Sequence, residues 1–249
     1  MKIYAIPITR ERIAYYCHSH YKPSGVAGKL ISKATEKWDL LSQSPKGSYK
    51  HKCFVWCSDM LDRIDAREWF LKSIPPIQKN RPVSKIEVLH PSSLVSLQVQ
   101  KDLKNIISER VLLHRRYFIL SSAVIPLTSL VSLLPIPNIP FFYASFRGYS
   151  HYFAYQGGKH LDLLFKNDLV TYSVSSKLDR HLEGKFLADL KPHCEISKDK
   201  DGQIPNPEFT TYSSILKWLS DDLGLPKLNV EVSRAIKQLK VSQNNQKFQ

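Results

Sequence analysis

The chain has 249 residues, of which 43% are hydrophobic and 23% charged, and its formal net charge is +14. This length allows one large domain or two small ones, and the ordinary hydrophobic fraction excludes a polytopic bundle of membrane helices. Residues 1–116 hold 21 Lys and Arg against 10 Asp and Glu, so the basic N-terminal half favours an anionic partner. Four cysteines without disulfide-framework spacing, and no secretory signal peptide, indicate a reducing compartment.

The N-terminal region, residues 1–116, is predicted to be a basic α+β region with a small two-stranded β element. Two strands alone are marginal, so the helices between them are expected to back the sheet. The apolar runs predict the strands, and apolar residues recurring at three or four positions predict the helices. The expected strands are Ile3–Ile8 and Lys85–His90; the expected helices are Thr9–Cys17, Val26–Leu41 and Lys52–Ser73, followed by a long helix from Ser92.

The middle of the chain, Tyr117–Phe146, contains no Asp, Glu, Lys, Arg or His. Its first part approaches the minimum of about 17 apolar residues that a membrane-spanning helix needs. Arg115, Arg116 and Arg147 flank the segment, as charged anchors flank membrane helices. We therefore predict one hydrophobic membrane segment at 117–146, with a buried hairpin in a soluble helical domain as the alternative.

Three prolines, Pro135, Pro137 and Pro140, form an elbow inside this segment. Because positive charge lies on both flanks, the elbow fits a re-entrant hairpin that returns to the side it came from. A single kinked span is the other topology, and the sequence leaves both open. In either topology Arg115, Arg116 and the three prolines would anchor the segment.

The remaining region, residues 147–249, begins with crowded aromatic side chains that are typical of a membrane interface. Amphipathic spacing then predicts a helical C-terminal part, with helices over Lys177–Leu190, around Ile215, and from Asn229 onward. The polar tail from Ser242 is expected to be disordered. The predicted fold is thus mainly α with a small two-stranded sheet and one membrane segment or re-entrant hairpin.

The sequence contains no convincing catalytic, cofactor-binding or metal-binding motif, so we expect neither an enzyme nor a bound cofactor. Gly157-Gly158-Lys159-His160 lacks the earlier glycine and the following Ser or Thr of a phosphate loop. His151 and His160, with Arg147 and Lys159, form instead a candidate proton- or ion-linked group beside the hydrophobic segment. Contact of these side chains with lipid headgroups is the competing interpretation.

Several motifs together resemble the mitochondrial K⁺/H⁺ exchange-related family. They are Leu134-Pro-Ile-Pro-Asn-Ile-Pro-Phe-Phe-Tyr143, then Arg147-x-x-Ser150-His151, then Gly157-Gly158-Lys159-His160-Leu161, with likeness also in Met1–Thr9 and Leu228–Leu239. The resemblance implies a mitochondrial, inner-membrane protein with most of its chain facing the matrix. It also implies an association with potassium–proton exchange, but it transfers no catalytic or ion-binding residue.

The resulting expectation is a component or regulator of potassium–proton exchange, acting in ion and volume homeostasis. The expected partners are inner-membrane lipids and other subunits of an exchange complex or further copies of the chain. The alternative is a basic membrane-associated scaffold that binds the mitochondrial ribosome, RNA or anionic lipid. Nucleic acid is the less favoured partner, because no RNP, KH or zinc-finger signature is present.

Overall fold

The computed structural model describes residues 1–19, 33, 36–77, 85–130, 139–182, 187 and 212–247. The chain forms two compact units, one of Met1–Ser19 with Ala66–Gln249 and one of His20–Asp65. The strands are β1 (Lys2–Pro7), β2 (Ile13–His18), β3 (Ile86–His90) and β4 (Val170–Val174). The helices are α1 (Tyr49–Asp62), α2 (Ala66–Ser73), α3 (Ser96–Ser129), α4 (Ile139–Lys166), α5 (Ser176–Leu182), α6 (Tyr212–Leu223) and α7 (Pro226–Lys247).

The sheet has four strands in the order β2-β1-β3-β4, so the predicted two-stranded element is wrong. β1 pairs antiparallel with β2, while β1–β3 and β3–β4 are parallel pairs. The segment predicted as a helix over Thr9–Cys17 is instead a turn followed by β2. The Thr9 hydroxyl accepts a hydrogen bond from the backbone N–H of Arg12 at 3.0 Å, which closes a turn rather than capping a helix.

Side chains alternate between the two faces of the sheet along each strand, and buried side chains lie on both faces. One face, including Ile3, Tyr15 and Val88, packs against α2, α3 and α4. The other, including Tyr4, Ile6 and Tyr16, packs against α5, α6 and α7. This unit therefore has three layers, with helices on either side of a mixed sheet.

The predicted membrane segment is corrected by the structure, since no helix in the described part of the chain is both long and apolar enough to cross a bilayer. Within the uncharged stretch, residues 117–129 are the last turns of α3, and residues 139–146 are the first turns of α4. Each helix continues into a charged sequence, so neither reaches the length of about 17 apolar residues that a span requires. The elbow prolines Pro135 and Pro137 lie outside the described residues.

Other predicted boundaries also move. The helix expected over Lys52–Ser73 is two helices, α1 and α2, and the backbone N–H of Ala66 at the start of α2 donates to the Gln238 side chain at 3.0 Å. The last helix begins at Pro226 rather than Asn229, in keeping with the preference of proline for the first helical turn. It continues to Lys247, through part of the expected tail. Most of the helix expected over Val26–Leu41 lies outside the described residues.

Candidate functional site

Five polar side chains meet in the interior between α2, α3 and α4, and we call them the buried ionic cluster. α4 contributes Arg147, Ser150 and His151, which share one helix face because they are three and four residues apart. α2 contributes Glu68 and α3 contributes His114. Glu68 and His114 are 3% and 1% exposed, and Ser150 and His151 are 0% and 5% exposed.

Glu68 is the anion of the cluster, and its carboxylate is fully engaged. The two terminal nitrogens of Arg147 donate to its two oxygens at 3.2 and 3.3 Å, and the Ser150 hydroxyl donates to Oε1. Glu68 also lies in the first turn of α2, where the helix dipole favours a negative charge. This two-pronged ion pair fixes α2 against α4.

The two histidines face each other across the α3–α4 contact. Nδ1 of His114 and Nδ1 of His151 are 3.0 Å apart, which is hydrogen-bonding distance. Nε2 of His151 lies 3.0 Å from a terminal nitrogen of Arg147. The ring of Tyr117, one turn beyond His114, stacks on His151 with centroids 5.2 Å apart.

The arginine determines which atoms of the pair carry protons. A guanidinium can only donate, so Nε2 of His151 must accept and its own proton must be on Nδ1. That Nδ1–H then donates to Nδ1 of His114, whose proton is therefore on Nε2. Both imidazoles are neutral in this arrangement.

The pKa of His151 agrees with its neutral state in that assignment. Burial lowers the pKa of His151 to about 4, a shift that the Glu68 carboxylate opposes and the Arg147 charge reinforces. Burial by itself would raise the pKa of Glu68, but the hydrogen bond from Ser150 and the charge of Arg147 outweigh it, so the pKa is lowered. At neutral pH the cluster therefore holds the Glu68 carboxylate, the Arg147 guanidinium and a neutral His151 imidazole.

Glu68, His114 and His151 also offer three potential metal-ligand atoms within 4.8 Å of one another. In the observed arrangement Arg147 blocks this use, because it donates to Nε2 of His151 and thereby places a proton on Nδ1. Neither nitrogen of His151 then has a free lone pair for a metal ion, and Arg147 and Ser150 already bind the carboxylate. The geometry thus fits a proton-bearing network better than a metal centre.

Of the residues singled out from the sequence, Arg147 and His151 belong to the buried ionic cluster, and His160 and Lys159 do not. α4 is continuous through Gly157-Gly158 to Lys166, so the glycines do not bring the two histidines together. Nδ1 of His160 donates to the carbonyl oxygen of Pro75 at 2.6 Å, just beyond the end of α2. Lys159 extends its ammonium over the Tyr155 ring.

The proposed anchor residues are placed as follows. Arg115 and Arg116 are exposed on α3, and Pro140 is in the first turn of α4. They lie in two separate helices, α3 and α4, neither of which is long and apolar enough among its described residues to cross a membrane.

Sequence reasoning missed Glu68 and assigned no role to Ser150. Glu68 directly precedes the apolar run Trp69-Phe70-Leu71, and an acid at the edge of such a run was the one available signal. Its partners are 79 to 83 positions away in sequence, so periodicity could not reveal them.

A second group of titratable side chains joins α2 to α7. The Lys72 ammonium and the Arg234 guanidinium both lie over the Trp69 ring, at 4.1 and 4.7 Å from its centroid. Burial lowers the pKa of Lys72 to about 8 and raises the pKa of Glu231 to about 7. α2 therefore carries ionisable contacts to both layers of helices.

Residues 2–165 match a family described as mitochondrial K⁺-H⁺ exchange-related. An uncharacterised protein of Schizosaccharomyces pombe is 30% identical over 199 residues, which cover 77% of this chain and 87% of that protein. An uncharacterised protein of Saccharomyces cerevisiae is 26% identical over 290 residues, covering 100% of this chain and 87% of the relative. No solved structure matches the chain.

Proposed function

Because the chain belongs to the mitochondrial K⁺-H⁺ exchange-related family, we propose that it is a component or regulator of potassium–proton exchange at the mitochondrial inner membrane. The family places the chain in mitochondria and relates it to this exchange. Its role as a non-enzymatic subunit or regulator is our proposal. The observation that carries it is the buried ionic cluster, all of whose members lie within the matched residues 2–165.

The chemistry of the cluster suits a protein that responds to protons. Buried ionisable side chains are rare unless they are paired, because removing a charge from water is costly. Histidine is the side chain whose ordinary pKa is closest to neutral pH, so its charge responds to small changes in its surroundings. Here two imidazoles are connected to an ion pair that fixes α2 against α4, and a change in their charge would reach three helices.

We favour a role as one subunit of a larger complex over a role as a complete transporter. A secondary transporter typically binds its substrate at the bilayer midplane between several membrane helices. We therefore propose that the chain acts with other subunits of an exchange complex, or as an oligomer, at the lipid surface of the inner membrane.

The test is a swelling assay in isolated mitochondria. A Saccharomyces cerevisiae strain that lacks the relative described above is compared with the same strain expressing this chain. In potassium acetate, we expect the chain to restore the passive swelling that reports potassium–proton exchange. His114→Gln and His151→Gln, which keep hydrogen bonding but cannot take up a proton, should reduce that rate at equal protein level.

Arg116→Gln is the matched control, because it removes an exposed cation from α3 outside the cluster and should leave swelling unchanged. The ionophore nigericin, which exchanges potassium for protons by itself, should restore swelling in every strain. Equal swelling with and without the chain would contradict the proposal.

The net charge of +14 favours one second candidate, a scaffold that binds a polyanion such as the mitochondrial ribosome. Such binding should weaken steeply as the salt concentration rises, because binding releases counterions condensed on the anion and this release is less favourable at high salt. Co-sedimentation of the chain with ribosomes at low and high salt, together with unchanged swelling, would replace the exchange proposal with this one.

A further inference from the structure

The contact between Arg147 and His151 controls how many protons the histidine pair can hold. With Arg147 in place, the pair shares a single proton along the Nδ1–Nδ1 contact. An added proton would put N–H groups on both nitrogens of one ring. If that ring is His151, its Nε2–H opposes the donor of Arg147; if it is His114, His151 must move its proton to Nε2, with the same conflict.

We propose that Arg147 is a latch, and that the His114–His151 pair takes up a proton only when the guanidinium leaves Nε2 of His151. The same departure weakens the two-pronged ion pair with Glu68 and so loosens α2 from α4. This inference names the regulation of the cluster, and its relevance to exchange rests on the proposed function.

The surroundings of the cluster favour such a movement. The Arg147 side chain is 22% exposed whereas the Glu68 side chain is 4% exposed, so the arginine can swing toward water and the carboxylate cannot. Once it has left, Glu68 Oε2, which lies 3.9 Å from Nδ1 of His151, would stabilise the positive pair. When the arginine leaves, the positive charge beside Glu68 is thus supplied by a proton on the histidine pair instead of by the guanidinium.

Among the described residues, the other charged and titratable groups near the pair come from α2, α3 and α7. From α2, Lys72 opposes a positive charge, and Glu68 favours it. From α3, the ring of Tyr117 stacks on His151, and His114 contributes its own ring to the pair. From α7, Glu231 and Arg234 act on Lys72 and so only indirectly on the histidines. Arg147 is thus the nearest cation and the one that blocks a nitrogen.

Coupling of this kind is reciprocal: if protonation expels Arg147, removal of Arg147 must strengthen proton binding. The strength of the coupling can therefore be measured on the purified full-length chain, without any transport assay. Nitrogen-15 NMR of the imidazoles reports the tautomer and the protonation midpoint. The side-chain N–H signal of Arg147 reports whether the guanidinium is held.

In the wild-type chain we expect His151 to carry its proton on Nδ1 at neutral pH. On acidification, imidazole protonation and loss of the held Arg147 signal should share one midpoint. In Arg147→Gln the midpoint should rise by about one pH unit or more, a tenfold or larger gain in proton affinity. Arg116→Gln should keep the wild-type midpoint.

If Arg147→Gln does not fold, the variant Glu68→Gln with Arg147→Gln removes both charges of the ion pair together, which is much better tolerated than removing one. There His151 should populate the Nε2–H tautomer, which the wild-type chain excludes. A wild-type His151 with its proton on Nε2, or an Arg147 signal unchanged through imidazole protonation, would overturn the latch. A coupled titration without any effect on swelling would keep the latch and remove the proposed function.

Discussion

Gly157 shows how one missing side chain positions the candidate site. A Cβ placed on it would lie 1.9 Å from the carbonyl oxygen of Leu71, at the end of α2. α4 therefore approaches the backbone of α2 so closely that any side chain at position 157 would clash, and only glycine fits there. Three residues further along, His160 donates to the carbonyl of Pro75 at the same end of α2. The Gly-Gly-Lys-His motif is accordingly a packing motif that sets the distance between α2 and α4.

We predict that Gly157→Ala destabilises the chain by about 1–3 kcal/mol or more, because backbone must move to admit the methyl group. In an open helix position the same change would stabilise by up to about 1 kcal/mol. Gly148→Ala in the same helix is the matched control, since its Cβ would be 3.4 Å from the nearest atom, the Cβ of Ser121. Urea unfolding followed by circular dichroism measures both, and equal midpoints would contradict the close approach.

Glu231 is a second residue with a measurable consequence. One of its carboxylate oxygens is buried and has no hydrogen-bond partner among the described residues. Burial raises the pKa of this carboxyl to about 7, although Arg234, Lys227 and Lys72 act in the opposite direction. At pH 6 the folded state therefore keeps a proton that the unfolded state, with an ordinary glutamate pKa, has released.

The sign of the pH dependence follows from that difference. Between about pH 4.3 and pH 7 the folded state binds more protons at Glu231, so this group's contribution to stability falls as pH rises. We predict that Glu231→Gln, which stays neutral, is more stable than the wild-type chain at pH 8 and no more stable at pH 5. Thermal melts at both pH values test this, with the exposed Glu11→Gln as control. A stability difference that does not change with pH would argue against the raised pKa.

At the scale of secondary-structure elements, the ion pair of Glu68 and Arg147 joins α2 to α4. Removing one member leaves the other charge buried, which typically costs about 3–5 kcal/mol. We predict a loss of that order for Arg147→Ala, which leaves the buried Glu68 carboxylate without its cation. The double variant Glu68→Gln with Arg147→Gln should lose much less, because no charge is stranded.

Chemical denaturation of both variants and the wild-type chain measures this difference, with Arg67→Gln as a control for a surface ion pair. Arg67 lies 3.8 Å from Glu109, and the two side chains are 39% and 64% exposed, so this change should cost less than about 1 kcal/mol. If Arg147→Ala proved as mild as Arg67→Gln, the ion pair would not be what fixes α2 against α4.

The elements show what the sequence could and could not predict. The alternation of Lys85–His90 predicted β3, and the four-residue spacing of Ile215, Leu219 and Leu223 predicted α6. The helix predicted at β2 is wrong because Thr9 resembles a helix N-cap. In the structure its hydroxyl instead accepts a hydrogen bond from the backbone N–H of Arg12 in a turn. β4 was missed because Val170–Val174 is short, and what makes it a strand is its pairing with β3, 84 residues earlier.

The candidate site was predictable only in part, for a related reason. His151 and Arg147 could be singled out because they adjoin the uncharged stretch. Glu68 and His114 enter the site through the packing of α2 and α3 on α4, and no local pattern encodes which helices will pack. The composition of the long uncharged stretch favours a membrane segment, but its residues 117–129 and 139–146 belong to two helices that each continue into charged sequence.

At the scale of the whole molecule, the sheet needs helices on both faces. The family match ends at residue 165, before β4 and before the helices α5–α7 that cover the second face. That face buries Tyr4, Ile6 and Tyr16 on strands that belong to the matched part. The C-terminal layer is thus required by strands at the very start of the chain.

We predict that a chain ending at Leu182, which lacks α6 and α7, no longer unfolds cooperatively and binds the dye ANS, because the apolar side chains of the second face become exposed.

A milder version of the same test is Ile236→Asp, which places a charge at a position that is 0% exposed. Val241→Asp in the same helix, 60% exposed, is its control and should behave like the wild-type chain. Since the buried ionic cluster lies on the opposite side of the sheet, its histidine NMR signals separate global loss of the fold from a local defect. If the truncated chain melted cooperatively at the wild-type temperature with those signals intact, the first face and its helices would form an independent domain, and the C-terminal layer would be an addition to it.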